Sequence, residues 1–445
     1  MPIPLTHRRR AASIHEADEG RVVVLAGWLE SVVDKGGIAF VRLRDASGSI
    51  QVTMPKRRVP AEAVAALLGA SRESVVVVEG SVQKSREKAG GFEVVPTAAE
   101  VIAESLTPLP LGVVDKVGAD LPTRLDNRFM DLRKPEVRAV FRIRQVATDG
   151  IRQFLGRNHF IEVQTPKLVG AGAEGGATLF GVQYFDQPGF LAQSPQLYKQ
   201  MLMGAGLERV FEIAPAFRAE ASDTVRHLAE FTSFDIEMSF IESSEDVMAV
   251  LEGVVHAALQ HVSQECKAEL AALGREVRIP HLPLPRVPYG DAVEWLKAEG
   301  RAASLDAEYG TEEEKRVAEL VAERFNGAEL YFLTDFPTAI KRATFYAKRH
   351  DDRPAFTGYF DLEYRGQELT SGGQREHRVD RLLAQMAENR LDPAQFEFYL
   401  QAFRYGMPPH GGFGFGVERF VQSMLGLPNI REAVLFPRDR YRLVP

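Results

Sequence analysis

The first hundred residues contain short apolar or alternating runs of the length that β-strands have. Five runs can be delimited: Val22–Trp28, Ala39–Asp45, Ile50–Thr53, Val75–Gly80 and Gly91–Pro96. The segment Ala46–Ser49 separates the second run from the third and predicts a hairpin turn. Residues 61–69 have the pattern of a short helix, so the predicted order is three strands, a helix and two strands.

This order of elements predicts an OB-fold barrel over residues 1–103. Barrels of this kind commonly hold single-stranded nucleic acid, but the pattern fits a small barrel with a purely structural role equally well. Between residues 104 and 134, prolines and glycines interrupt any periodicity, which is typical of a linker.

The remainder of the chain, residues 135–445, mixes helical and strand patterns. Apolar residues at helical spacing predict a helix over residues 137–156, and a second helix-like stretch runs from Val254 to Leu273. Because strands and helices do not alternate regularly, we expect one large α+β domain rather than a chain of parallel βαβ units. The whole chain is therefore expected to be an α+β multidomain protein.

Composition is that of a soluble globular protein. Of its 445 residues, 45% are apolar and 26% charged, which allows a large buried core in two or three domains. No apolar run approaches the ~20 residues that cross a bilayer, so we expect no membrane span. The basic start, Met1–Arg10, is followed by no apolar segment, so we expect no secretory signal.

Cysteine content and net charge limit the kinds of covalent link, metal site and partner that we expect. Cys266 is the only cysteine, which excludes an intrachain disulfide and a zinc site built from cysteines. We interpret Cys266 as a core or surface thiol, and we expect a cytoplasmic protein. The net charge of −7 argues against a partner as acidic as RNA, but phosphate binding needs only local positive patches.

A polar segment lies between two alternating flanks, Phe217–Glu220 and Phe231–Glu237, as in a hairpin with a polar loop. Arg218 and Glu220 are two positions apart, so on a strand both side chains point to the same face. An ordinary ion pair explains this spacing. The alternative is a nucleotide site, in which Arg218 grips a phosphate with its planar fork. Glu220 would then accept from an adenine amino group, and Phe231 would stack on the base.

A glycine-rich run, Gly411–Arg419, also carries candidate chemistry. Gly412, Gly414 and Gly416 alternate, which leaves one face of a strand without side chains and lets a flat ligand approach the backbone. The run lacks the spacing of a Walker phosphate loop or of a dinucleotide fingerprint.

Together these segments resemble a known enzyme family. Phe160–Leu168 is similar to motif 1 of class II aminoacyl-tRNA synthetases, Phe217–Glu237 to motif 2, and Gly412–Arg419 to motif 3, in the same order. The barrel in front of them is similar to that of the subgroup for aspartate, asparagine and lysine. The resemblance implies an antiparallel-sheet catalytic domain over residues 135–445, an anticodon-binding barrel before it, and a two-fold homodimer.

Three further runs are similar to those of compact archaeal aspartyl-tRNA synthetases: Ala173–Ala177, Gln193–Gln200 and Glu368–Arg375. The physical logic agrees, because the side chain of aspartate is an anion and its pocket needs cations held in place. Lys199 and Arg375 suit that role, with Arg375 able to bind bidentately. An asparagine pocket has no reason to hold two cations against a neutral amide.

The resemblance implies roles for individual residues. The expected aspartate-binding set is Glu174, Gln196, Lys199, Arg218, Ser371 and Arg375. The expected ATP-binding set is Arg218, Glu220, Arg226, His227, Leu228, Phe231, Glu368, Gly416 and Arg419. Mg²⁺ bridging the ATP phosphates is expected on Asp361, Glu368 and Ser371, since oxygen ligands suit a hard cation. Asp235 and Glu237 are expected only to support the site.

The implied reaction has two steps. The α-carboxylate of aspartate attacks the α-phosphorus of ATP, and aspartyl-adenylate forms as pyrophosphate leaves. The 3′-hydroxyl of the terminal adenosine of tRNA then attacks the adenylate. No protein nucleophile is needed, so catalysis rests on alignment and on neutralising charge at phosphorus. That catalytic role is assigned to Arg218, aided by Mg²⁺.

By the same resemblance the barrel holds the anticodon, with Phe40 stacked on the central uracil and Gln51 and Glu79 reading its edge. From the pattern alone, Phe40 is interpreted as a core residue, and only the resemblance favours the role in anticodon binding. Glu30 occupies the place that helps to tell aspartate from asparagine anticodons, and here the chain departs from its relatives. The departure motivates the hypothesis that tRNA(Asn) is charged as well as tRNA(Asp). A mischarging enzyme needs a tRNA-dependent amidotransferase downstream.

Three alternatives compete with this interpretation. An asparagine–tRNA ligase is disfavoured by Lys199. A catalytically inactive relative that only binds RNA is disfavoured by the presence of Arg218, Glu368 and Arg419 together. An asparagine synthetase of the same fold leaves the N-terminal barrel unexplained.

Overall fold

The computed structural model describes residues 2–85, 91–114, 118–170, 179–221 and 224–444. These residues form two compact units, one up to Lys134 and one from Pro135 onward. Among the described helices, none has both the length and the apolar character that a membrane crossing requires. Glu174, one of the residues expected to bind aspartate, lies outside the described residues.

The N-terminal unit is built on a closed barrel. Its elements are β1 (Arg8–Arg9), β2 (Val22–Asp34), β3 (Ile38–Asp45), β4 (Gly48–Pro55), α1 (Ala61–Gly69), β5 (Val75–Lys84) and β6 (Phe92–Ala103). The strand order is β1-β2-β3-β4-β6-β5, and β5 also pairs with β2, which closes the barrel. Five long strands with a helix between the third and the fourth confirm the predicted OB-fold.

Alternation along the strands separates the barrel core from its outer face. On β3, Val41 and Leu43 are buried among apolar neighbours from the other strands. Phe40 and Arg42 alternate with them and are half-buried and exposed, respectively. Phe40 therefore lies on the outer face of the barrel and is not a core residue.

The segment predicted as a linker contains two short helices, α2 (Leu121–Asp126) and α3 (Arg128–Asp131). Each is shorter than two helical turns, so apolar periodicity does not reveal them. The end of the segment is tied to the barrel by charge, because Arg133 Nη1 donates to Glu73 Oε2 at 2.8 Å. Arg44 Nη2 donates to both oxygens of the same carboxylate, at 2.8 and 2.7 Å.

The second unit mixes helices with two sheets. Its helices are α4 (Pro135–Arg157), α5 (Gln196–Gly204), α6 (Ser244–Glu265), α7 (Lys267–Leu273), α8 (Tyr289–Ala298), α9 (Thr311–Arg324), α10 (Val379–Glu388), α11 (Glu397–Arg404) and α12 (Val417–Leu425). Its strands are β7 (Ile161–Glu162), β8 (Leu168–Val169), β9 (Gly181–Tyr184), β10 (Gln187–Leu191), β11 (Arg209–Phe217), β12 (Glu230–Ser239), β13 (Arg286–Pro288), β14 (Leu330–Thr334), β15 (Tyr359–Tyr364), β16 (Glu368–Gln374) and β17 (His410–Gly416).

The main sheet has eight strands in the order β13-β14-β15-β16-β17-β12-β11-β7. Its six central strands are antiparallel, and only the edge pairs β13–β14 and β11–β7 are parallel, which confirms the predicted antiparallel sheet. Helices α4, α6 and α12 bury one face against aromatic residues such as Phe234, Phe360 and Phe413. The other face is left for the polar site.

Two helix predictions can be compared with this architecture. The predicted helix over residues 137–156 lies within α4. The helix-like stretch Val254–Leu273 is interrupted, because α6 ends at Glu265 and α7 begins at Lys267. Cys266 lies at this break as a buried thiol, and burial raises its pKa to about 11. Cys266 is therefore a core residue and not a nucleophile.

Candidate active site

Strand register brings the polar residues of the second unit into rows across the open face of the main sheet. Asp235 on β12 is opposite Gly414 on β17, which is opposite Ser371 on β16, which in turn is opposite Asp361 on β15. Because side chains alternate along a strand, the apolar neighbours of these residues face the helices instead. Glu237 lies in the next row, opposite Gly412.

The alternating glycines of β17 make room for these acidic side chains. A Cβ atom on Gly412 would overlap the carbonyl oxygen of Ile236 and the carboxylate of Glu237. A Cβ atom on Gly414 would lie 3.2 Å from Asp235 Oδ1, whereas one on Gly416 would meet only Arg419 Cβ, at 3.6 Å. The bare face predicted for all three glycines is thus closed at Gly412, whereas Gly414 and Gly416 line the cavity.

Lys199 is buried in this face and surrounded by acceptors. Its side chain is 3% exposed, so its ammonium must find partners within the protein. Nζ donates to Asp235 Oδ1 at 3.0 Å and to the carbonyl oxygen of Phe413 at 3.1 Å. It also lies 3.4 Å from Glu237 Oε2.

Arg375 is buried on the other side of the same Glu237 carboxylate. Its side chain is 1% exposed, and Nε donates to Glu237 Oε1 at 3.1 Å. Nη2 donates to the carbonyl oxygen of Gly412 at 2.9 Å, and Nη1 donates to the hydroxyl of Tyr359 at 3.3 Å. We term Lys199, Asp235, Glu237 and Arg375 the amino-acid end of the site. The two acids expected only as support are direct partners of the predicted cations, since Lys199 contacts both acids and Arg375 contacts Glu237.

A neutral hydrogen-bonded chain adjoins the amino-acid end. The hydroxyl of Tyr399 donates to Gln200 Oε1 at 2.9 Å, and Gln200 Nε2 lies 3.1 Å from His410 Nε2. His410 Nδ1 lies 2.8 Å from the carbonyl oxygen of Pro408, which can only accept. Nδ1 therefore carries the proton, and Nε2 accepts from Gln200. Burial lowers the pKa of His410 to about 4, which agrees with a neutral ring.

A cavity of about 330 Å³ brings together most of the predicted site residues. Its lining includes Gln196, Arg218, Glu220, Arg226, His227, Leu228, Phe231, Glu368, Ser371, Arg375, Gly416 and Arg419. Lys199 and Asp361 do not line it and lie beneath its surface. Gln196 is 4% exposed, and its Nε2 makes no hydrogen bond within the described residues, so a donor is available at the cavity wall.

The described residues of the motif 2 loop, 218–221 and 224–229, contribute the outer wall of the cavity. Strand β11 ends at Phe217, so Arg218 and Glu220 do not lie on a strand and the expected alternation does not orient them. The loop nevertheless brings them together, with Arg218 Nη1 at 3.9 Å from Glu220 Oε1. The guanidinium of Arg218 lies over the ring of Phe231, 5.3 Å from its centroid. His227 Nε2 is 3.6 Å from Glu220 Oε2.

Two further arginines flank this wall. Arg226 Nη1 lies 3.8 Å from Glu314 Oε2 on α9, and Arg419 Nη1 lies 3.9 Å from Glu368 Oε1. We term Arg218, Glu220, Arg226, His227 and Arg419 the nucleotide end. Their side chains are 29–39% exposed, so water reaches every one of them.

The predicted metal ligands lie on neighbouring strands. Asp361 Oδ2 accepts from Lys341 Nζ at 3.0 Å, while Oδ1 is buried without a hydrogen bond from the described residues. Burial raises the pKa of Asp361 to about 6, against the opposing charge of Lys341. Within the described residues, no three His, Cys, Asp or Glu side chains are grouped closely enough to hold a metal ion. The predicted set has only two carboxylates and a hydroxyl, and the free oxygen of Asp361 fits a hard cation.

Register in the barrel separates two of the predicted anticodon residues. Gln51 on β4 is opposite Arg42 and next to the outward Phe40, and its Nε2 donates to Glu93 Oε2 at 3.0 Å. Glu79 pairs with Ala98, away from this group, because β6 lies between β4 and β5. Glu93 thus takes the place beside Gln51 that was expected for Glu79.

The carboxylate of Glu30 makes its contacts with other residues of the barrel. It lies at an irregularity in the pairing of β2 with β3, and its Oε2 accepts from the hydroxyl of Ser49 at 2.7 Å. Arg44 Nη1 lies 3.9 Å from the same oxygen. The side chain of Glu30 is 16% exposed.

Several residues of the site were missed at the level of sequence. They are Tyr359, Gln200, Tyr399, His410, Glu93 and Glu363. Glu363 is opposite Glu368, and burial raises its pKa well above the usual range. Its position two residues after Asp361 on the same strand was the available signal. Tyr359, two residues before Asp361 on the same strand, carries the same signal. The other four residues meet their partners through long-range contacts, for which the sequence offers no local signal.

Comparison with known proteins agrees with this geometry. A family described as "tRNA synthetases class II (D, K and N)" matches residues 120–440, and "OB-fold nucleic acid binding domain" matches residues 23–109. The aspartate–tRNA(Asp) ligase of Pyrococcus horikoshii is 49% identical over 97% of this chain and 98% of its own length. The aspartate–tRNA(Asp/Asn) ligase of Methanopyrus kandleri is also 49% identical, over 98% of both chains.

Similarity extends to a solved structure with a bound intermediate. Asparaginyl-tRNA synthetase from Pyrococcus horikoshii, complexed with asparaginyl-adenylate, superposes with a TM-score of 0.90 at 33% identity. The match covers 99% of this chain and 100% of that one. Since the family match, the relatives and the site geometry agree, the chain belongs to the class II tRNA synthetases of the D, K and N group.

Proposed function

We propose that the protein is an aspartate–tRNA ligase, which activates L-aspartate with ATP and transfers it to the 3′-hydroxyl of tRNA. The observation that carries this proposal is the buried pair of cations, Lys199 and Arg375, held on one carboxylate of Glu237. Relatives named as aspartate–tRNA ligases, at 49% identity, support the same substrate.

The charges of the amino-acid end explain a preference for aspartate over asparagine. Two cations face two carboxylates, so the pocket is neutral before a substrate arrives. Hydrogen bonds from cationic donors to an ionised carboxylate are roughly twice as strong as those between neutral groups. We infer that the side chain of aspartate gains this strength from Arg375, which lines the cavity, and from Lys199 beneath the cavity surface, whereas the amide of asparagine does not.

The nucleotide end suits ATP. Arg218, on the outer wall of the cavity, would neutralise charge at the α-phosphorus, while Arg226, His227 and Arg419, which line the same cavity, would bind the phosphate chain. Asp361, Glu368 and Ser371 would hold Mg²⁺, which when bound supplies positive charge to the phosphates. Gln196 has a donor available for the amino acid at the junction of the two ends.

Amino-acid-dependent exchange of pyrophosphate into ATP tests this function. The wild-type protein should exchange with aspartate and not with asparagine. Lys199→Met should reduce kcat/KM for aspartate by about a hundredfold or more, because Asp235 is left buried without its main partner. Lys267→Met, on the exposed surface of α7, is the matched control. Exchange driven by asparagine instead of aspartate would overturn the proposal and favour an asparagine–tRNA ligase.

For the tRNA, we propose that both tRNA(Asp) and tRNA(Asn) are charged with aspartate. The carboxylate of Glu30 is held by Ser49 and Arg44, so it is not presented to the nucleotide that distinguishes the two anticodons. Of two relatives that are each 49% identical to this chain, one is named an aspartate–tRNA(Asp) ligase and the other an aspartate–tRNA(Asp/Asn) ligase. Sequence identity alone therefore does not indicate which tRNAs are charged. Charging of separate tRNA(Asp) and tRNA(Asn) transcripts decides, and aspartate accepted by tRNA(Asp) alone would contradict the proposal. A relaxed enzyme requires a tRNA-dependent amidotransferase downstream.

On the barrel, we propose that the central uracil stacks on Phe40 while Gln51 and Glu93 read its edge. Glu93 is 7% exposed and fixed by Gln51, as a reader of base edges must be. Glu93→Gln should raise KM for tRNA about tenfold, the value of one lost charged hydrogen bond, without changing pyrophosphate exchange. Glu79→Gln is the matched control, and equal effects of the two variants would contradict this assignment.

As motif 1 implies, we also propose a homodimer, which sedimentation would test.

A further inference from the structure

The motif 2 loop is held from outside by a segment near the end of the chain. Arg431 Nη1 donates to the carbonyl oxygen of Thr224 at 3.1 Å. The backbone N–H of Ile430 donates to the carbonyl oxygen of Val225 at 2.9 Å, and Gln422 Nε2 donates to the same oxygen at 3.2 Å. Three donors from outside the loop thus bind two consecutive carbonyl groups next to Arg226.

The same segment also binds the backbone of the loop at Ala221 and at Ala229. Arg440 Nη1 donates to the carbonyl oxygen of Ala221 at 2.7 Å. The N–H of Ala229 donates to the carbonyl oxygen of Arg438 at 2.8 Å. Because these bonds go to the backbone, they fix the path of the loop and leave its side chains directed by that path.

Arg431 is itself fixed. Its side chain is 10% exposed, and Nε donates to Asp439 Oδ2 at 2.6 Å. Asp439 Oδ1 in turn accepts from the N–H groups of Tyr441 and Arg442, both at 2.8 Å. The planar fork of Arg431 therefore joins the loop to a turn near the end of the chain.

We propose that residues 429–440, which we term the C-terminal brace, position the motif 2 loop for ATP and that Arg431 is the main positioning residue. The brace binds backbone groups of the loop on both sides of Arg226 and His227. Lys199 and Arg375, in contrast, are held by residues of β12, β15 and β17. The brace therefore sets the affinity for ATP and leaves the affinity for the amino acid unchanged. The inference rests on the proposed function in assigning ATP to the nucleotide end.

Arg431→Met removes the bridge while keeping most of the apolar side-chain stem. The KM for ATP in aspartate-dependent pyrophosphate exchange should rise about tenfold, the value of a lost bond to a charged group, while the KM for aspartate changes less than twofold. Arg431→Lys keeps the charge but lacks the fork, and should recover only part of the ATP affinity. Arg440→Met removes one exposed contact and should raise the KM for ATP about threefold. Arg404→Met removes an exposed arginine on α11 as the matched control.

Two measurements without amino acid separate the brace from the proposed function. Hydrogen exchange of the amides of residues 224–230 should accelerate about tenfold in ligand-free Arg431→Met, while the amides of β17 keep their protection. Calorimetric binding of MgATP should weaken in parallel. If the wild type failed to activate aspartate, these two results would still test the brace. The proposed role of the brace would be overturned if hydrogen exchange of the loop amides and MgATP binding were both unchanged in Arg431→Met and Arg440→Met. It would also be overturned if the KM for ATP and the KM for aspartate rose equally.

Discussion

The two ends of the cavity hold their charges in opposite ways. At the amino-acid end, four charged side chains are at most 4% exposed, and the two cations lie 2.9–3.4 Å from carboxylate and carbonyl oxygens. At the nucleotide end, the side chains are 29–39% exposed and the ion pairs measure 3.6–3.9 Å. Charge interactions weaken steeply as water raises the effective dielectric constant. The first group is therefore rigid, and the second is available to an incoming polyphosphate.

This difference matches what each end must recognise. An amino-acid pocket has to distinguish a carboxylate from an amide of nearly the same shape, which requires donors that cannot move away. A polyphosphate carries several charges and arrives with its own cation, so exposed arginines can adapt to it. In the proposed function, fixed charges thus serve specificity, while loosely paired charges serve binding and catalysis.

The largest expected effect comes from breaking the amino-acid end at Arg375. Arg375→Gln leaves Glu237 with only Lys199 as a charged partner in a buried site, which should cost about 3–5 kcal/mol of unfolding free energy. The kcat/KM for aspartate should fall about a thousandfold or more, since each factor of ten corresponds to about 1.4 kcal/mol. Urea unfolding and pyrophosphate exchange measure the two effects.

A double variant separates stability from recognition. Arg375→Gln with Glu237→Gln leaves no unpaired charge at this position, so it should regain stability relative to the single variant. The double variant should not regain aspartate-dependent pyrophosphate exchange, because the cationic donor at position 375 is still missing. Recovery of activity together with stability would mean that Arg375 acts only through the fold.

The next effect in size is at the nucleotide end. Arg218→Gln should lower kcat about a hundredfold, the usual loss when one donor to a developing charge is removed. Because its side chain is 39% exposed, the free energy of unfolding should change by no more than about 0.5 kcal/mol. A loss of stability as large as that of Arg375→Gln would remove the contrast between the two ends.

The barrel and the core helix α4 could be predicted because their signals are local. Period-two alternation, turn residues and helical spacing are each visible within about ten residues. The short helices α2 and α3 could not, since neither completes two turns. The break at Cys266 was also invisible, because both flanks continue the helical pattern.

The candidate site depended on a different kind of information. Lys199 and Arg375 were reached through resemblance, yet their partner Glu237 was taken only as support. The bond from Arg375 to Glu237 joins residues 138 positions apart, and no local pattern encodes such a pairing. The same limit explains Glu79 and Glu93, which have equally suitable strand positions and are separated only by the register of β4 and β6.

The neutral chain beside the amino-acid end predicts a dependence of stability on pH. The buried ring of His410 has a pKa of about 4, below the ordinary value of 6.5. Between pH 6.5 and 4 this histidine is protonated in the unfolded chain but not in the folded chain, so the free energy of unfolding falls as pH falls. The contribution of the neutral ring to stability is fully present above pH 6.5. The shift corresponds to roughly 3 kcal/mol at most.

Urea unfolding of wild type and His410→Gln over this pH range isolates the contribution. The difference in unfolding free energy between the two proteins should shrink towards pH 4, because only the wild type loses the stability that the neutral ring provides. His281→Gln, which replaces an exposed histidine, should follow the wild type. Parallel curves for His410→Gln and wild type would show that the ring is protonated without cost.

The smallest expected effect decides between the two interpretations of Glu220. If Glu220 only pairs with Arg218 and His227, at 3.9 and 3.6 Å, then Glu220→Gln should change neither stability nor nucleotide choice. If its carboxylate accepts from the adenine amino group, wild type should prefer ATP to inosine triphosphate, which lacks that group. Glu220→Gln should then reduce this preference about fivefold, the value of one hydrogen bond. An unchanged ratio of kcat/KM for the two nucleotides would leave Glu220 as an ordinary ion-pair partner and move recognition of the base to the backbone near Gly416.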